Sequence, residues 1–173
     1  KNLLLTLIAI VSSGLTLFAQ EDATVKSFEA IDWDTIEQIA KNKKSYRSLV
    51  KRFEHADSTL TKNEYAAIYF GAAYQKGYTG GYGENSELFH LLKEKKYEAL
   101  YKICRKKLSK NPANIRATRY MMMATIDLKG ENSDEFDLYL HRFCKLLATI
   151  VRSGKGTEES PWMVIAVDDE YEL

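Results

Sequence analysis

The segment 74–82 is the part of the sequence best suited to bind a ligand, because tyrosines and an amide alternate with glycines there. Exposed aromatic rings with neighbouring amide groups form a platform for a sugar or an extended peptide. The same residues would also suit the edge of a hydrophobic core, with their hydroxyls reaching water or backbone groups. A tryptophan further along the chain is a candidate neighbour, so the candidate binding residues are Tyr74, Gln75, Tyr78, Tyr82 and Trp162.

No combination of residues in the sequence matches a familiar catalytic arrangement. The three histidines, at positions 55, 90 and 141, are not spaced as in the His-Glu-x-x-His motif of zinc proteases. The Gly-x-Ser-x-Gly turn of serine hydrolases does not occur. The segment 154–157, Gly-Lys-Gly-Thr, lacks the residue order of a phosphate-binding loop. We therefore predict a protein that is not an enzyme and uses no cofactor.

The two cysteines, Cys104 and Cys144, allow two interpretations. Outside the cytoplasm they could form a disulfide bond, and on the helices predicted below they could equally be buried thiols. Together with His141, one helical turn from Cys144, they would supply three metal ligands, whereas a closed structural zinc site needs four. We predict no metal site and leave both interpretations of the thiols open.

A cluster of acids occupies the last residues of the sequence, at Asp168, Asp169, Glu170 and Glu172. Carboxylates bind cations such as calcium, but the ligand spacing of an EF-hand is absent. Contiguous acids also favour the first turn of a helix, where they interact with its dipole. The cluster therefore predicts a solvated surface or the start of a short helix.

Five stretches have the apolar periodicity of amphipathic helices. Asp32 and the capping box formed by Thr61 and Glu64 mark two of the predicted starts, and Gly130 marks a predicted end. Breaks are expected near residues 41–44 and 94–95, because the apolar pattern lapses there. The predicted helical stretches are 32–53, 61–76, 86–108, 115–130 and 132–150.

The segment 162–167 is a six-residue apolar run rich in β-branched residues, which predicts a strand. Its simplest partner strand is 149–153. Short turns between the helices suggest α-hairpins of the tetratricopeptide type, most clearly across the turn Asn-Pro-Ala-Asn at 111–114. The predicted class is α+β but mainly α, with tetratricopeptide-like hairpins and a small C-terminal β-hairpin.

Residues 1–20 resemble a signal peptide, since a basic start precedes an apolar run and then small and polar residues. Residues 21–173 are predicted to form one helical domain, with its β element at 149–167. Lys1 is the only charged residue in 1–20, and the chain holds 25 basic and 24 acidic residues, so this domain has no net charge. Net charge therefore gives no support for nucleic-acid binding. Serine, threonine and glycine interrupt the apolar run, so we expect cleavage and export rather than a stable membrane span.

Several motifs occur together in one order along the chain. They are 57–61, 64–65, 68–71, 75, 78, 153–157, 164 and 169–171. This order resembles a family of secreted Bacteroidota proteins, known as domain of unknown function 4919. The resemblance covers nearly the whole chain after residue 20, and it implies secretion and a helical fold with a small β element. It implies no catalytic residues, since the family has no established activity.

Helix pairing without a catalytic arrangement favours a non-enzymatic interaction module. We expect a periplasmic or secreted protein that binds a protein or peptide of the cell envelope on a helical groove. The alternative is a glycan-binding or glycan-processing protein that uses the tyrosine-rich loop 74–82. Neither hypothesis involves nucleic acid.

Overall fold

The computed structural model describes residues 31–80 and 86–173, and the predicted signal peptide at 1–20 lies outside this part of the chain. The described residues form eight α-helices and a 3-10 turn, Ala72–Tyr74. None of these helices has both the length and the apolar character to cross a membrane. The helices are α1 (Trp33–Lys41), α2 (Lys43–Glu54), α3 (Lys62–Gly71), α4 (Ser86–Lys93), α5 (Tyr97–Lys110), α6 (Ile115–Lys129), α7 (Asp134–Val151) and α8 (Val167–Glu170).

Local side chains fix the starts of these helices, because they accept amide hydrogens that the first turn leaves unpaired. Asn42 separates α1 from α2, since its side chain accepts two amide hydrogens of α2 at 3.1 Å. Thr61 and Glu64 form the predicted capping box at α3. Asn114 and Ser133 also cap α6 and α7, each by accepting one backbone N–H with its side-chain oxygen. The predicted helix starts and the predicted break between α1 and α2 are thus confirmed.

The hydrophobic core lies around α3, α6 and α7. α3 packs against α1, α2 and α7, and every residue from 65 to 71 is buried. α6 packs against α5 and α7, with small side chains at Ala117 and Ala124 that are fully buried. The apolar stripe of α7 faces this core through Phe136, Tyr139, Phe143, Leu146, Leu147 and Ile150.

Gly71, the last residue of α3, lies where two helices approach too closely for a side chain. A Cβ atom there would lie 2.9 Å from Cε2 of Tyr46 and 3.2 Å from Cβ of Ala40. The Tyr46 ring is fixed, because it is buried and its hydroxyl donates to the Ile68 carbonyl at 3.1 Å. Glycine at this position therefore sets the distance between α3 and α2.

Gly71→Ala is expected to lower the free energy of unfolding by about 1–3 kcal/mol, because the added methyl group overpacks the contact with Tyr46. Helix propensity alone predicts that the substitution raises the free energy of unfolding, since alanine is favoured over glycine inside a helix. Urea denaturation followed by circular dichroism measures the difference. In a Tyr46→Leu background the cost should largely disappear, and an undiminished cost there would contradict the overpacking explanation.

The predicted β-hairpin at 149–167 is wrong, and so is the α+β class, because the described residues contain no strand. Residues 149–151 belong to the last turn of α7, and 162–166 carry no regular secondary structure. One isolated bridge, between Thr157 and Ser160, closes the intervening turn. This part of the chain is a helical bundle followed by an irregular C-terminal segment and the short helix α8.

Side chains satisfy three backbone groups of the apolar run 162–167, in place of a partner strand. The Met163 N–H donates to Oγ of Ser153 at 2.6 Å, and the Ile165 N–H donates to the Tyr69 hydroxyl at 3.2 Å. The Tyr78 hydroxyl in turn donates to the Ile165 carbonyl. The continuous apolar run predicted a strand, but hydrogen bonds to side chains take the place of a strand ladder here.

Candidate functional site

A cleft with a volume of about 930 Å³ lies between α2, the segment after α3, the last turns of α5 and the C-terminal segment. We name it the α2–α5 cleft. Its volume lies near the upper end of the range for ligand pockets, roughly 300–1,000 Å³. Its lining includes Arg47, Val50, Glu54, residues 75–79, Glu87, Ile103, Lys106, Lys107, Lys110, residues 111–114, Arg116, Ile165, Ala166, Asp168 and Asp169.

Both apolar and charged side chains line this cleft. Val50 of α2 and Ile103 of α5 are half-buried, and Pro112 follows α5 in the turn to α6. Pockets that bind ligands combine such apolar surface with a few polar groups that fix orientation. The α2–α5 cleft therefore offers both apolar surface and polar groups to a ligand.

A buried hydrogen-bonded network forms one wall of the cleft. The Tyr69 hydroxyl donates to Oδ2 of Asp169 at 2.7 Å, and the same hydroxyl accepts the Ile165 N–H. Tyr78 holds the other side of Ile165 through its carbonyl. Asp169 is only 5% exposed. Two tyrosines thus fasten the C-terminal segment to the end of α3 and to the loop behind it.

Burial raises the pKa of the Asp169 carboxyl to about 6, although the hydrogen bond from Tyr69 acts in the opposite direction. The neighbouring acids Asp168 and Glu172 add to the increase, and Arg116 opposes it. A carboxyl group with this pKa can exchange a proton near neutral pH. Its Oδ2 atom is, however, already bound to Tyr69, so its principal role in this geometry is to hold the wall of the cleft together.

Two arginines of α6 bind two other acids of the C-terminal segment, Asp168 and Glu172. Arg116 donates to Oδ1 and to the backbone carbonyl of Asp168, at 2.9 and 3.0 Å. Its Nε atom donates to Glu172 at 2.9 Å, and Arg119 forms a second ion pair with Glu172 at 2.5 Å. The Glu172 side chain is 3% exposed. The acid cluster therefore does start a helix, α8, as one of its two interpretations predicted, but its charges face arginines as well as solvent.

Basic side chains dominate the rest of the cleft lining. Arg47 lies on α2, Lys76 follows the 3-10 turn, and Lys106 and Lys110 lie on the last turns of α5. All four side chains are exposed to solvent. Among the described residues, none of the four has a carboxylate oxygen within 4 Å.

The structure brings two of the five candidate binding residues into the cleft, Gln75 and Tyr78. The Gln75 amide donates to the backbone carbonyls of Ala40 and Gly71 at 3.1 and 3.0 Å, so it ties the end of α3 to the end of α1. Tyr78 is half-buried and bound to the C-terminal segment as described above. Both residues help to shape the cleft.

Two other candidates, Tyr74 and Trp162, do not join them. Tyr74 is 50% exposed and Trp162 is 40% exposed, and neither lines the cleft. The Trp162 ring lies against Gly156, where a Cβ atom would lie 2.9 Å from the ring. Tyr82 lies outside the described residues. A sugar platform built from these rings stays a prediction.

Cys104 and Cys144 are not joined by a disulfide in this structure, and Cys144 is only partly buried, so both interpretations of the thiols stay predictions. Cys104 is buried on α5, and burial raises its pKa to about 12. Burial also raises the pKa of Cys144 on α7. His141 accepts or donates one hydrogen bond with the Tyr65 hydroxyl at 3.2 Å, and no metal-binding cluster occurs among the described residues.

Sequence reasoning assigned no role in a site to Tyr69 or Arg116, and it placed Asp169 only in an acid cluster expected to be a solvated surface or the start of a helix. Tyr69 lies among apolar residues of the predicted helical stretch 61–76, and this pattern indicates a buried ring rather than a role for its hydroxyl. Arg116 and Arg119 interrupt the apolar pattern at the start of α6, and the acids at the chain end carry opposite charge. That charge complementarity was the one available signal for contact between the two segments.

Comparison with known proteins gives one match. A family model described as domain of unknown function DUF4919 matches residues 34–173. No curated protein matches the chain, and no solved structure does. The match spans most of the described residues, and its description names no activity.

Proposed function

The chain belongs to the DUF4919 family, and on this premise, which assigns no activity, we propose a non-enzymatic binding protein whose α2–α5 cleft takes a peptide or a segment of another protein. The observation that carries the proposal is the cleft itself, with a volume of about 930 Å³ and a mixed apolar and charged lining. Clefts of this kind are the default binding sites of folded domains.

The polar groups of the cleft wall support binding rather than catalysis. A catalytic base or nucleophile must have an atom directed at the substrate. Asp169 is instead bound to Tyr69, Asp168 is bound to Arg116, and Tyr78 is bound to the backbone of Ile165. These groups hold a fixed surface against which a ligand packs.

Val50→Glu is expected to weaken peptide binding about tenfold or more, because it places a charge on the apolar part of the cleft. Peptides selected from a random display library against the purified chain would be tested by fluorescence anisotropy. Val151→Glu is the matched control, since Val151 is an exposed valine at the end of α7 and does not line the cleft. Equal loss of affinity in both variants, or selection of no peptide at all, would refute the proposal.

Export is a second part of the proposal. The signal-like pattern at residues 1–20 supports a periplasmic or secreted location, and the family resemblance supports a Bacteroidota source. Cell fractionation of the native organism would test the location, and mass spectrometry of the N-terminus would test cleavage. Recovery of the uncleaved chain from the cytoplasm would contradict export.

The third part of the proposal is that the helical hairpins are of the tetratricopeptide type. α5 and α6 are joined by the turn 111–114, in which the Asn111 side chain accepts the Ala113 N–H and Asn114 caps α6. Fully buried alanines at 117 and 124 let α6 lie close to its neighbours. These features support a tetratricopeptide-like unit, a class of helix pair that commonly presents a concave surface to peptides.

A further inference from the structure

We propose that the ligand of the α2–α5 cleft is an acidic peptide in which carboxylate side chains are interspersed with apolar ones. This inference rests on the proposed function and adds the chemical class of the ligand. It is drawn from the charges of the cleft lining and from the ion pairs that some of those charges already form.

Cations outnumber acids in the lining, and the internal ion pairs do not remove the excess. Arg116 and Asp168 pair with each other at 2.9 Å. Among the described lining residues, and with Lys107 left out of the count, four further cations then face three acids. One of these acids, Asp169, has its charged form opposed by burial, and a second, Glu54, also interacts with the buried guanidinium of Arg142. The four cations are Arg47, Lys76, Lys106 and Lys110, and the three acids are Glu54, Glu87 and Asp169.

The positive charge is local rather than a property of the whole chain. The full sequence has a net charge of only +1, so the cationic lining of the cleft is balanced by acids elsewhere. Charge concentrated in a concave surface increases the association rate and selectivity for ligands of opposite sign. An anionic ligand is therefore attracted to the cleft and not to the protein in general.

The aromatic residues of the lining favour a peptide over a nucleic acid. Single-stranded nucleic acids bind through aromatic rings on which the bases stack. Tyr46 is buried, so among the described lining residues the half-buried Tyr78, whose hydroxyl is bound to Ile165, is the one aromatic ring that a base could contact. Val50 and Ile103 instead offer aliphatic surface beside the lysines. A peptide with aliphatic side chains between its carboxylates matches this combination of aliphatic surface and lysines.

The lysines of α5 also have a structural explanation that the test must separate. Lys107 and Lys110 lie in the last turn of α5, where cations interact favourably with the helix dipole. Lys106 and Lys110 are exposed in the cleft, whereas Lys102 and Arg105 are exposed on α5 outside the cleft lining. Two pairs of charges on one helix therefore differ in whether they face the cleft.

The experiment compares Lys106→Gln/Lys110→Gln with the control Lys102→Gln/Arg105→Gln, each in the full chain. The probe is a fluorescein-labelled peptide in which glutamates are interspersed with leucines and serines, and a matched peptide carries glutamine at every glutamate. We expect the cleft variant to bind the acidic peptide about tenfold more weakly and the control about as tightly as the unmodified chain. Rising salt should weaken binding of the acidic peptide, and less so in the cleft variant. Thermal unfolding confirms that both variants fold.

Three results would overturn the inference. It is wrong if the glutamine peptide binds as tightly as the acidic one, if both double variants lose affinity equally, or if duplex DNA or heparin binds more tightly than the peptide. If a glutamine peptide binds and Val50→Glu weakens it, the proposed function stands and only the acidic ligand is wrong. If neither probe peptide nor any library peptide binds, both proposals fail.

Discussion

Arg116→Met is expected to lower the free energy of unfolding by about 3 kcal/mol, because it removes the main partner of two acids in the C-terminal segment. Arg116 donates to Asp168 and to Glu172, and the Glu172 side chain is 3% exposed. Methionine keeps much of the apolar stem, so the loss comes mainly from acids left without a partner. Arg119 remains beside Glu172, which keeps the cost near the lower end for a buried ion pair.

Urea denaturation measures the global effect of this substitution, and hydrogen exchange at residues 165–172 shows whether the C-terminal segment opens first. Arg116→Lys keeps the charge but loses the planar fork that contacts two acids, so we expect an intermediate cost. Arg105→Met, at an exposed position of α5, is the matched control and should cost well under about 1 kcal/mol. An Arg116→Met variant no less stable than Arg105→Met would show that the segment is held by other contacts.

The helices could be predicted from the sequence because their determinants are local. Asn42 caps a helix through amides two and three residues away, and Thr61 and Glu64 form their capping box within a single turn. The break between α4 and α5 is also local, since Lys95 adopts a positive φ of 55°. Each of these features involves residues that are neighbours in the printed sequence.

The C-terminal segment could not be predicted in the same way, because its contacts are distant in sequence. Tyr69 and Asp169 are 100 residues apart, and Arg116 and Asp168 are 52 apart. An apolar run of six residues satisfies the pattern of a strand, but a strand also needs a partner that supplies backbone hydrogen bonds. At Ile165 the Tyr69 hydroxyl accepts the N–H that a partner strand would otherwise accept. The periodicity of the sequence does not show that a distant side chain will do this.

The cleft follows from the same long-range contacts. Tyr69, Tyr78 and Arg116 help to hold the C-terminal segment that forms its wall beside the α5–α6 turn. Gln75 and Tyr78 were identified as candidates because tyrosines and glycines cluster in sequence. The lysines of α5 were not, since basic residues near a helix C-terminus are ordinary in any sequence.

Asp169→Asn is expected to stabilise the protein by about 3 kcal/mol at pH 7.5 and to have little effect near pH 4. The pKa of Asp169 is about 6 in the folded chain, against 3.8 for an ordinary aspartate. The folded state therefore binds more protons than the unfolded state between pH 4 and 6, and its stability falls as the pH rises through that window. Above the window the folded protein carries the full cost of a buried charge, and asparagine removes that cost while still accepting the Tyr69 hydrogen bond.

Other groups titrate in the same window, so the measured quantity is the difference between variant and unmodified chain at each pH. Burial lowers the pKa of His141, which destabilises the fold as the pH falls, in the opposite sense to Asp169. Hydrogen bonds from Arg52 and Thr59 hold the pKa of Asp57 well below its usual range, and the stability that this contributes is lost only at still lower pH. Both contributions cancel in the difference. Asp137→Asn, at an exposed position of α7, should give a difference close to zero throughout. A constant difference for Asp169→Asn across pH 4–7.5 would mean that its carboxyl is not held as the structure shows, and the wall of the cleft would then need another explanation.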